Sequence, residues 1–478
     1  EELLLFYLVF EMHFLRTALV VAVAISSGST KFTFLAGDKY DENVAKPMEW
    51  FDSQKLDHFD PTNLSTWKQR YIVENQFFTN LSGPVFLYIG GEGALPWFPD
   101  AAMTLYALQY GALMFGLEHR YYGDSRPRPD LTVESLRYLS SEQALADIAY
   151  FIEHINSKYR LTPQNKWVVF GGSYAGNLAA WARLKYPHLI HAAVSSSGPV
   201  LAKAAVDFGE FFQHVAVQHS KECADNIHRA ALEVATLLNQ TGGPKVLTEK
   251  FNLCHPLDMK TMDDTSVFVD LIIDNLWGFL QIDGAAGLEY ICDTMNEGSQ
   301  DILVRYALAT GFSRSSCNNI RSFNESIEYL KNTSYNHRSF GVRLWFYQTC
   351  TEFGFYTTAS SRRGFFGSDL FLSYYVDQCK QVFGEQFNLK KLSDGIKRTN
   401  SLYGGLNMQV TNVVFVQGSL DPWSELGIRT SKPGAPAIVI DGTTHCQDMY
   451  PPSDSDPQSL KDARKEISNL IGKWISMS

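Results

Sequence analysis

Residues 166–176 read Lys-Trp-Val-Val-Phe-Gly-Gly-Ser-Tyr-Ala-Gly. A short run of β-forming residues ends at Phe170, two glycines follow, and Ser173 precedes a run of small residues typical of a helix. A strand, a sharp turn and a helix in this order form a nucleophile elbow, which holds a serine hydroxyl clear of the sheet. Small residues are needed there because the two backbones pass closely. The match is G-x-S-x-A at Gly171, Ser173 and Ala175, and it predicts Ser173 as a nucleophile; an ordinary strand-to-helix turn is the alternative.

Apolar runs on both sides of this stretch predict further buried strands. They occupy residues 84–89, 112–117 and 191–195. Residues 166–170 form the strand that leads into the turn. Between the second and third runs, Ser140 and Gln143 are spaced as a capping box before an apolar helix face. Strands that alternate with helices predict a parallel sheet covered on both faces, and with the elbow they predict an α/β-hydrolase fold.

The pattern changes in the middle of the chain. From about residue 201 to 404 the sequence is helical in character and contains six of the seven cysteines. Strand character returns at 412–417 and 437–440, and an amphipathic helix over 459–477 follows. We therefore expect one α/β-hydrolase domain from residues 46–200 and 405–478, with residues 201–404 inserted as a helical, disulfide-containing cap over the strand ends.

The N-terminal residues predict a secretory signal peptide over 1–29. From Met12, the expected start of translation, a charged segment is followed by an apolar run at 18–24 and then by small residues. A membrane anchor is the alternative, but polar residues interrupt the longer apolar stretch at Glu11, His13 and Arg16. No second segment is expected to be long and apolar enough to span a bilayer, so no anchor is expected after cleavage.

Two further features agree with a secreted or a lysosomal/endosomal protein reached by the secretory pathway. N-x-S/T glycosylation acceptors occur at Asn63, Asn80, Asn239, Asn324 and Asn332. The odd number of cysteines leaves one thiol unpaired, and Cys446 lies apart from the other six. The net charge of −10 argues against nucleic acid as a partner. No metal-binding spacing of cysteine and histidine occurs in the sequence, and no cofactor is expected.

The partners of Ser173 follow from chain order. In an α/β-hydrolase the acid precedes the histidine and both follow the nucleophile. The only histidine after the proposed cap is His445, which follows the strand at 437–440. Asp421 follows the strand at 412–417, whereas Asp441 is too close to His445 and Asp394 lies in helical, polar sequence. Ser173, Asp421 and His445 are therefore the predicted triad for acyl transfer.

A glycine-rich loop follows the strand at 84–89 and reads Gly90-Gly91-Glu92-Gly93. Such a loop can be only a turn, but ahead of a nucleophile elbow it supplies an oxyanion donor in hydrolases of this fold. We expect the backbone N–H of Tyr174, together with that of Gly91 or a neighbour, to form the oxyanion hole.

These residues resemble a family of lysosomal and secreted serine peptidases. The family includes lysosomal prolyl carboxypeptidase, dipeptidyl peptidase 2 and thymus-specific serine protease, and the thymus-specific branch is the most similar. The resemblance runs from about Gln54 to the C-terminus. Its motifs are Leu56-Asp-His-Phe59, Gly91-Glu-Gly93, Glu118-His-Arg-Tyr-Tyr-Gly123, Gly171-Gly-Ser-Tyr174, Tyr347-Gln-Thr-Cys-Thr-Glu352, Asp421-Pro-Trp423 and His445. It implies a triad of Ser173, Asp421 and His445, and disulfides that pair Cys223 with Cys292, Cys254 with Cys317, and Cys350 with Cys379.

The predicted substrate pocket departs from the proline-selective relatives. Asn177 stands where those enzymes carry a methionine that lines the proline pocket, and Phe353 and Phe355 replace further methionines. Met449 stands where they have an arginine. The resemblance therefore implies a weaker preference for proline. Trp423, beside the triad acid, is either a wall of the pocket or a core residue.

Three glutamates at family positions have two readings. Glu92, Glu118 and Glu352 are either buried structural acids or groups that bind a substrate amine, and we favour the structural reading. Glu92, which follows the predicted oxyanion residue, is kept as a candidate of the substrate pocket.

The sequence thus predicts a serine-type peptidase that cleaves peptides through an acyl-enzyme. We expect an exopeptidase, with proline next to the scissile bond as one option. An esterase or lipase would share the triad. The other large serine carboxypeptidase family has the same elbow, but its acidic substrate-binding pair is not evident here. A non-catalytic binding protein is the remaining alternative. Peptides are the expected partners, and a homodimer is one option.

Overall fold

The computed structural model describes residues 48–95, 101–257, 261–359, 365–366 and 370–477. The predicted signal peptide, with Met12, lies outside the described residues. A central sheet of eight strands is formed by β1 (Glu49–Lys55), β2 (Thr66–Glu74), β3 (Val85–Ile89), β4 (Leu113–Leu117), β5 (Trp167–Gly172), β6 (Ile190–Ser196), β9 (Val413–Gly418) and β10 (Ala437–Ile440). Their order across the sheet is β1-β2-β4-β3-β5-β6-β9-β10.

Most neighbours in this sheet run parallel. Every pairing from β4 to β10 is parallel, whereas β1 and β2 form an antiparallel edge. The parallel strands were recognisable as continuous apolar runs because both faces of such a sheet are covered. Since parallel strands end at one edge, the loops after β5, β9 and β10 lie on the same side. This order and direction of strands is the α/β-hydrolase fold.

Helices cover the two faces of the sheet. The described α-helices are α1 (Ala102–Tyr110), α2 (Val133–Leu136), α3 (Ser141–Tyr159), α4 (Tyr174–Lys185), α5 (Phe208–His219), α6 (Lys221–Leu238), α7 (Gly243–Lys250), α8 (Met262–Asp283), α9 (Ala285–Asn296), α10 (Ile302–Ala309), α11 (Phe323–Lys331), α12 (Phe340–Gln348), α13 (Leu372–Phe383), α14 (Leu389–Tyr403) and α15 (Gln458–Ile475). One apolar layer joins α3 and α4 to the sheet, and a second joins α1 and α15 to its other face. Alternate strand residues enter the two layers, as the pleat requires.

The start of α3 corrects one detail of the sequence prediction. Ser140 caps the helix by accepting from the N–H of Gln143, but Gln143 does not complete a capping box. Its side chain instead donates to Asp57 Oδ1 at 2.6 Å and accepts from the N–H of His58 at 3.0 Å. The side-chain amide therefore fastens the segment after β1 to the helix.

The segment between β6 and β9 holds α5 to α14 and two strands that the sequence did not predict. The strands β7 (Lys203–Asp207) and β8 (Gly354–Thr358) form a separate parallel pair. A π-helical turn, Thr349–Phe353, precedes β8, and Phe355 has a φ of 65°. A strand of five residues that begins in the left-handed region carries no clear period-two pattern, which explains why it was missed.

Three disulfides cross-link this segment. The bonds join Cys223 to Cys292, Cys254 to Cys317, and Cys350 to Cys379, which are the pairs that the resemblance implied. Cys446 is a free thiol. Disulfides persist in oxidising compartments, so their presence indicates a secretory route.

Helix α8 corrects the expectation that no second segment is long and apolar enough to span a bilayer. Residues Asp263–Asp283 reach that length with a mean hydropathy of 1.2, although 56% of the stretch is buried inside the protein. Core helices of soluble proteins often share these properties, and α8 packs against the predicted site.

The predicted glycosylation acceptors are all accessible to solvent. Asn80, Asn239 and Asn324 are exposed, whereas Asn63 and Asn332 are partly exposed.

Candidate active site

Ser173 occupies the sharp turn between β5 and α4. Its φ of 59° and ψ of −131° lie outside the common regions for a residue with a side chain. The N–H of Ser173 donates to the carbonyl of Ser196 at 3.0 Å, which ties the turn to the end of β6. A Cβ on Gly171 would lie 2.0 Å from the carbonyl oxygen of Ala175, so the turn requires glycine at that position. The local geometry is that of a nucleophile elbow.

Asp421 and His445 meet at the ends of β9 and β10. The Nδ1 atom of His445 lies 2.9 Å from Oδ2 of Asp421, and the N–H of Trp423 donates to Oδ1 of Asp421 at 3.0 Å. Asp421 is fully buried and His445 is nearly so. Because Nδ1–H of His445 is directed at Asp421, Nε2 is left as the proton acceptor. Within the described part of the chain, Nε2 has no hydrogen-bond partner.

The protonation of His445 reflects two opposing effects. Burial lowers the pKa of His445, but the charge of Asp421, assisted by Cys446 and the hydrogen bond to Asp421, raises it. The net pKa lies well above the ordinary value for histidine. A buried carboxylate that stabilises the imidazolium is the arrangement expected of a general base in acyl transfer.

Ser173 contacts Glu92 in this structure. The Oγ atom of Ser173 lies 3.4 Å from Oε1 of Glu92, and among the described residues no hydrogen bond joins Ser173 to His445. Burial raises the pKa of Glu92, although the charge of His445 opposes this effect. Catalytic hydrogen bonds often tighten only when substrate is bound. The missing hydrogen bond between Ser173 and His445 is therefore consistent with their predicted roles as nucleophile and base.

The two predicted oxyanion residues both lie near the start of α4. Tyr174 is the first residue of α4, so its N–H has no acceptor within the helix. Gly91 passes close to the same turn, because a Cβ on Gly91 would be 3.4 Å from Cβ of Ala175. Both backbones therefore flank Ser173, at the start of α4, where the helix dipole favours negative charge.

An aromatic cluster extends from the elbow to the acid loop. Ring centroids are 5.4 Å apart between Tyr174 and Phe353, 5.6 Å between Phe353 and Phe355, and 5.5 Å between Phe355 and Trp423. Phe353 and Phe355 are buried, whereas Trp423 is partly exposed. The structure thus brings three of the predicted pocket residues together beside Asp421.

Comparison with known proteins places this site in a family. The family described as Serine carboxypeptidase S28 matches residues 54–467, which span the sheet, the elbow and both partner loops.

The chain belongs to the serine carboxypeptidase S28 family.

Curated relatives agree along most of the chain. The thymus-specific serine protease of Mus musculus is 36% identical, with 90% of this chain and 88% of the relative covered. The thymus-specific serine protease of Homo sapiens is 33% identical, with 91% and 88% covered. The lysosomal Pro-X carboxypeptidase of Homo sapiens is 30% identical, with 88% and 87% covered. The protein is therefore a serine peptidase, and its substrates are peptides.

Solved structures also match the chain at low identity. The proline iminopeptidase of Mycobacterium smegmatis is 12% identical, with 85% of this chain and 95% of that chain covered and a TM-score of 0.34.

Asn177 is less accessible than a pocket residue would be. It is fully buried on α4, and its Nδ2 donates to the carbonyl of Pro199 at 3.1 Å. Oδ1 of Asn177 has no partner within the described residues, and a Cβ on Gly198 would lie 3.0 Å from it. Asn177 therefore contacts the loop after β6, so in this S28 peptidase its side chain holds that loop.

Glu118 and Glu352 are both enclosed by donors. Glu118 pairs with Arg70 and accepts from the N–H of Leu95 at 2.9 Å and of Ser125 at 2.9 Å. Glu352 accepts from the N–H and the hydroxyl of Ser141, at the start of α3. These partners account for both acids structurally, as the sequence reading favoured. Glu92 differs, because it faces the nucleophile.

A buried chain of hydrogen-bonded side chains holds the side chain of Tyr174. The sequence did not predict this chain of hydrogen bonds. The hydroxyl of Tyr122 donates to Gln348 Oε1 at 2.6 Å, and Gln348 Nε2 donates to the hydroxyl of Tyr174 at 3.1 Å. That hydroxyl lies 3.1 Å from Nε2 of His119, whose Nδ1 lies 2.8 Å from the carbonyl of Arg120. Burial lowers the pKa of His119 to about 4, so its neutral ring accepts from Tyr174. The motif that starts at Glu118 was the available signal.

The loop after His445 carries Cys446, which the sequence predicted as the unpaired cysteine, and Asp448, to which it gave no role. The N–H of Cys446, at a φ of 56°, donates to Oγ of Ser197 at 2.9 Å. Asp448 accepts from the hydroxyl of Ser196, whose carbonyl holds the Ser173 N–H. The base loop and the elbow are thus fastened to the same strand end.

Proposed function

We propose that Ser173 is the nucleophile, His445 the general base and Asp421 the acid that orients it. The observation that carries the proposal is the buried Asp421–His445 contact of 2.9 Å, located on strand-end loops beside the elbow. Nε2 of His445 takes the proton from Ser173 as its Oγ attacks the peptide carbonyl. The resulting imidazolium, stabilised by Asp421, then gives the proton to the leaving amine. After the amine leaves, His445 takes a proton from water as the water oxygen attacks the acyl carbonyl. The acyl–Oγ bond then breaks, Oγ of Ser173 receives that proton from His445, and the carboxylic acid product is released.

The negative charge on the carbonyl oxygen is stabilised by backbone donors. The N–H groups of Tyr174 and Gly91 supply them, and a donor of this kind lowers the barrier by roughly 3–4 kcal/mol. The buried polar chain from Tyr122 through Gln348 to Tyr174 keeps the first donor in position.

The segment 201–404 acts as a cap above these groups. Oε1 of Gln281, on α8, accepts from Nε1 of Trp423 at 2.9 Å, and the backbone carbonyl of Leu280 accepts from the hydroxyl of Thr444. The cap thus contacts the loop that carries Asp421 and the loop that carries His445. A cap in this position restricts access to short or unfolded peptides.

The peptidase acts at chain ends and removes residues from the carboxyl terminus. The family description and the relative named Pro-X carboxypeptidase support this direction. Phe355 and Trp423 supply an apolar surface for the residue before the scissile bond. Asn177 is buried and donates to the carbonyl of Pro199, so it does not supply the apolar contact of a methionine, and selectivity for proline is weaker than in the proline-selective relatives.

The protein travels through the secretory pathway to a lysosomal, endosomal or extracellular destination. The three disulfides and the accessible acceptor asparagines support this route, with the signal peptide over 1–29 as its start.

A peptide-library digest read by mass spectrometry tests the reaction and its direction together. We expect the wild type to release single residues from the carboxyl end, with proline and alanine before the scissile bond both accepted. The Ser173→Ala variant serves as the inactive control. Release from the amino end, internal cleavage, or turnover of acyl esters without cleavage of peptides would contradict the proposal.

A further inference from the structure

Glu92 is the acid in the site that the triad does not use. It follows Gly91 in the loop after β3, and its Oε1 lies 3.4 Å from Oγ of Ser173. Its position beside the reacting atom is fixed by a loop whose backbone packs on the elbow, through Gly91 and Ala175. A carboxyl group in this position faces substrate, because the peptide carbonyl must approach the same Oγ.

The groups around Glu92 leave its charge without a fixed cation. Within the described residues, no ion pair joins Glu92 to lysine or arginine. Three titratable groups face it: His445 from the base loop, Tyr88 from β3 and Tyr122 from the loop after β4. Behind His445 lie Asp421 and Cys446. The charge of His445 favours ionised Glu92, whereas burial opposes it more strongly.

The leaving residue of a carboxypeptidase substrate brings a carboxyl group to this place. In that residue only three bonds separate the carboxyl carbon from the scissile carbonyl carbon, so the two groups reach the catalytic centre together. A second carboxylate cannot enter beside an ionised glutamate, because like charges at short range repel. Two carboxyl groups that share one proton form a favourable hydrogen bond instead.

We propose that Glu92 binds the C-terminal carboxyl group of the substrate by sharing a proton with it, which rests on the proposed carboxypeptidase direction. Substrate then replaces the Glu92–Ser173 contact and leaves the serine hydroxyl to His445. Protonated Glu92 donates to the substrate carboxylate at acidic pH, and this interaction becomes a repulsion as pH rises through the pKa of Glu92. A C-terminal amide carries no charge, so an amidated peptide escapes that repulsion.

The test compares kcat/KM for one peptide with a free or an amidated C-terminus, between pH 5 and pH 8. For the wild type we expect the ratio of free acid to amide to fall with rising pH, by up to about tenfold per pH unit. In Glu92→Gln the amide side chain donates at every pH, so the ratio stays flat. Glu134→Gln removes an exposed surface carboxylate and should keep the wild-type dependence.

Three outcomes would overturn the assignment. The first is a wild-type ratio that does not change with pH, which needs no variant and stays decisive if Glu92→Gln fails to fold. The second is the same pH dependence in Glu92→Gln as in wild type. The third is loss of cleavage when the peptide N-terminus is acetylated, with no response to amidation of the C-terminus. That result would show that Glu92 binds the amino group of the substrate and not its carboxyl group. Failure of the proposed triad would give a different result from these three outcomes. Cleavage of both the free-acid peptide and the amidated peptide would then persist in Ser173→Ala.

Discussion

The buried carboxylate of Asp421 determines how His445 can act, because it occupies the Nδ1 edge of the imidazole ring. Chain order selected this acid over Asp441, and the structure shows the difference between them. Asp441 is exposed, and within the described residues its side chain accepts from Ser419 alone, at 3.4 Å. The residue types of the proposed triad and their order along the chain could be predicted from the sequence. The contact between Ser173 and Glu92 could not, since it depends on the path of two loops that are distant in sequence.

Replacement of Asp421 should change the pH profile as well as the rate. In Asp421→Asn the charge that raises the pKa of His445 is removed, so burial dominates and the pKa falls. We expect kcat/KM to drop by roughly 10⁴, as loss of the orienting acid does in serine peptidases. The acidic limb of the profile should move to lower pH, because neutral His445 persists further into acid.

The measurement is kcat/KM against pH on an amidated peptide, which keeps the effect expected of Glu92 out of the profile. Asp441→Asn is the matched control and should retain both the rate and the limb. An acidic limb at the same pH in Asp421→Asn and wild type would show that Asp421 does not set the protonation of His445.

Among the elements, long apolar strands and capped helices were predictable, and short irregular ones were not. The runs at 84–89, 112–117 and 191–195 became β3, β4 and β6, because strands buried on both faces are apolar throughout. β7 and β8 were missed, since a two-stranded pair inside helical sequence has no flanking apolar pattern. The elbow was recognisable because its close backbone contacts restrict the residue types allowed.

The elbow should not tolerate a methyl group at Gly171. A Cβ there would meet the carbonyl oxygen of Ala175, and backbone at both ends of the turn cannot move aside easily. We expect Gly171→Ala to lower the free energy of unfolding by about 1–3 kcal/mol and to displace Ser173 enough to remove most activity. Urea unfolding measures the first effect and peptide hydrolysis the second.

Gly298→Ala is the matched control, because a Cβ at that position meets no atom of a non-adjacent described residue within 4 Å. It should change neither stability nor activity. Equal stability of Gly171→Ala and Gly298→Ala would show that the strand–helix contact is looser than the structure indicates.

For the whole molecule, buried acids connect stability to pH. Burial raises the pKa of Glu352 to about 7 and that of Asp448 to about 6. Each folded-state pKa exceeds the unfolded value of about 4, so the folded protein holds more protons across this interval. Their stabilising contribution is complete below the unfolded pKa and is lost as pH rises towards the folded pKa. These two acids therefore make the folded protein more stable at acidic pH than at neutral pH.

We expect the free energy of unfolding to fall between pH 5 and pH 7, by up to about 1.4 kcal/mol per pH unit for each group. In Glu352→Gln the side chain no longer titrates, so this slope should decrease. Urea midpoints at both pH values measure it, with Glu134→Gln as the surface control. An unchanged slope in Glu352→Gln would mean that Glu352 is ionised throughout this range.

Hydrolysis by this protein requires one group to attack the substrate, and Ser173 is the proposed nucleophile. Covalent labelling with an organophosphorus reagent, followed by mapping of the labelled peptide by mass spectrometry, tests this most directly. We predict a single adduct on Ser173, formed slowly in His445→Ala and absent from folded Ser173→Ala. An adduct on another serine, or labelling that persists in Ser173→Ala, would contradict the assignment of the nucleophile.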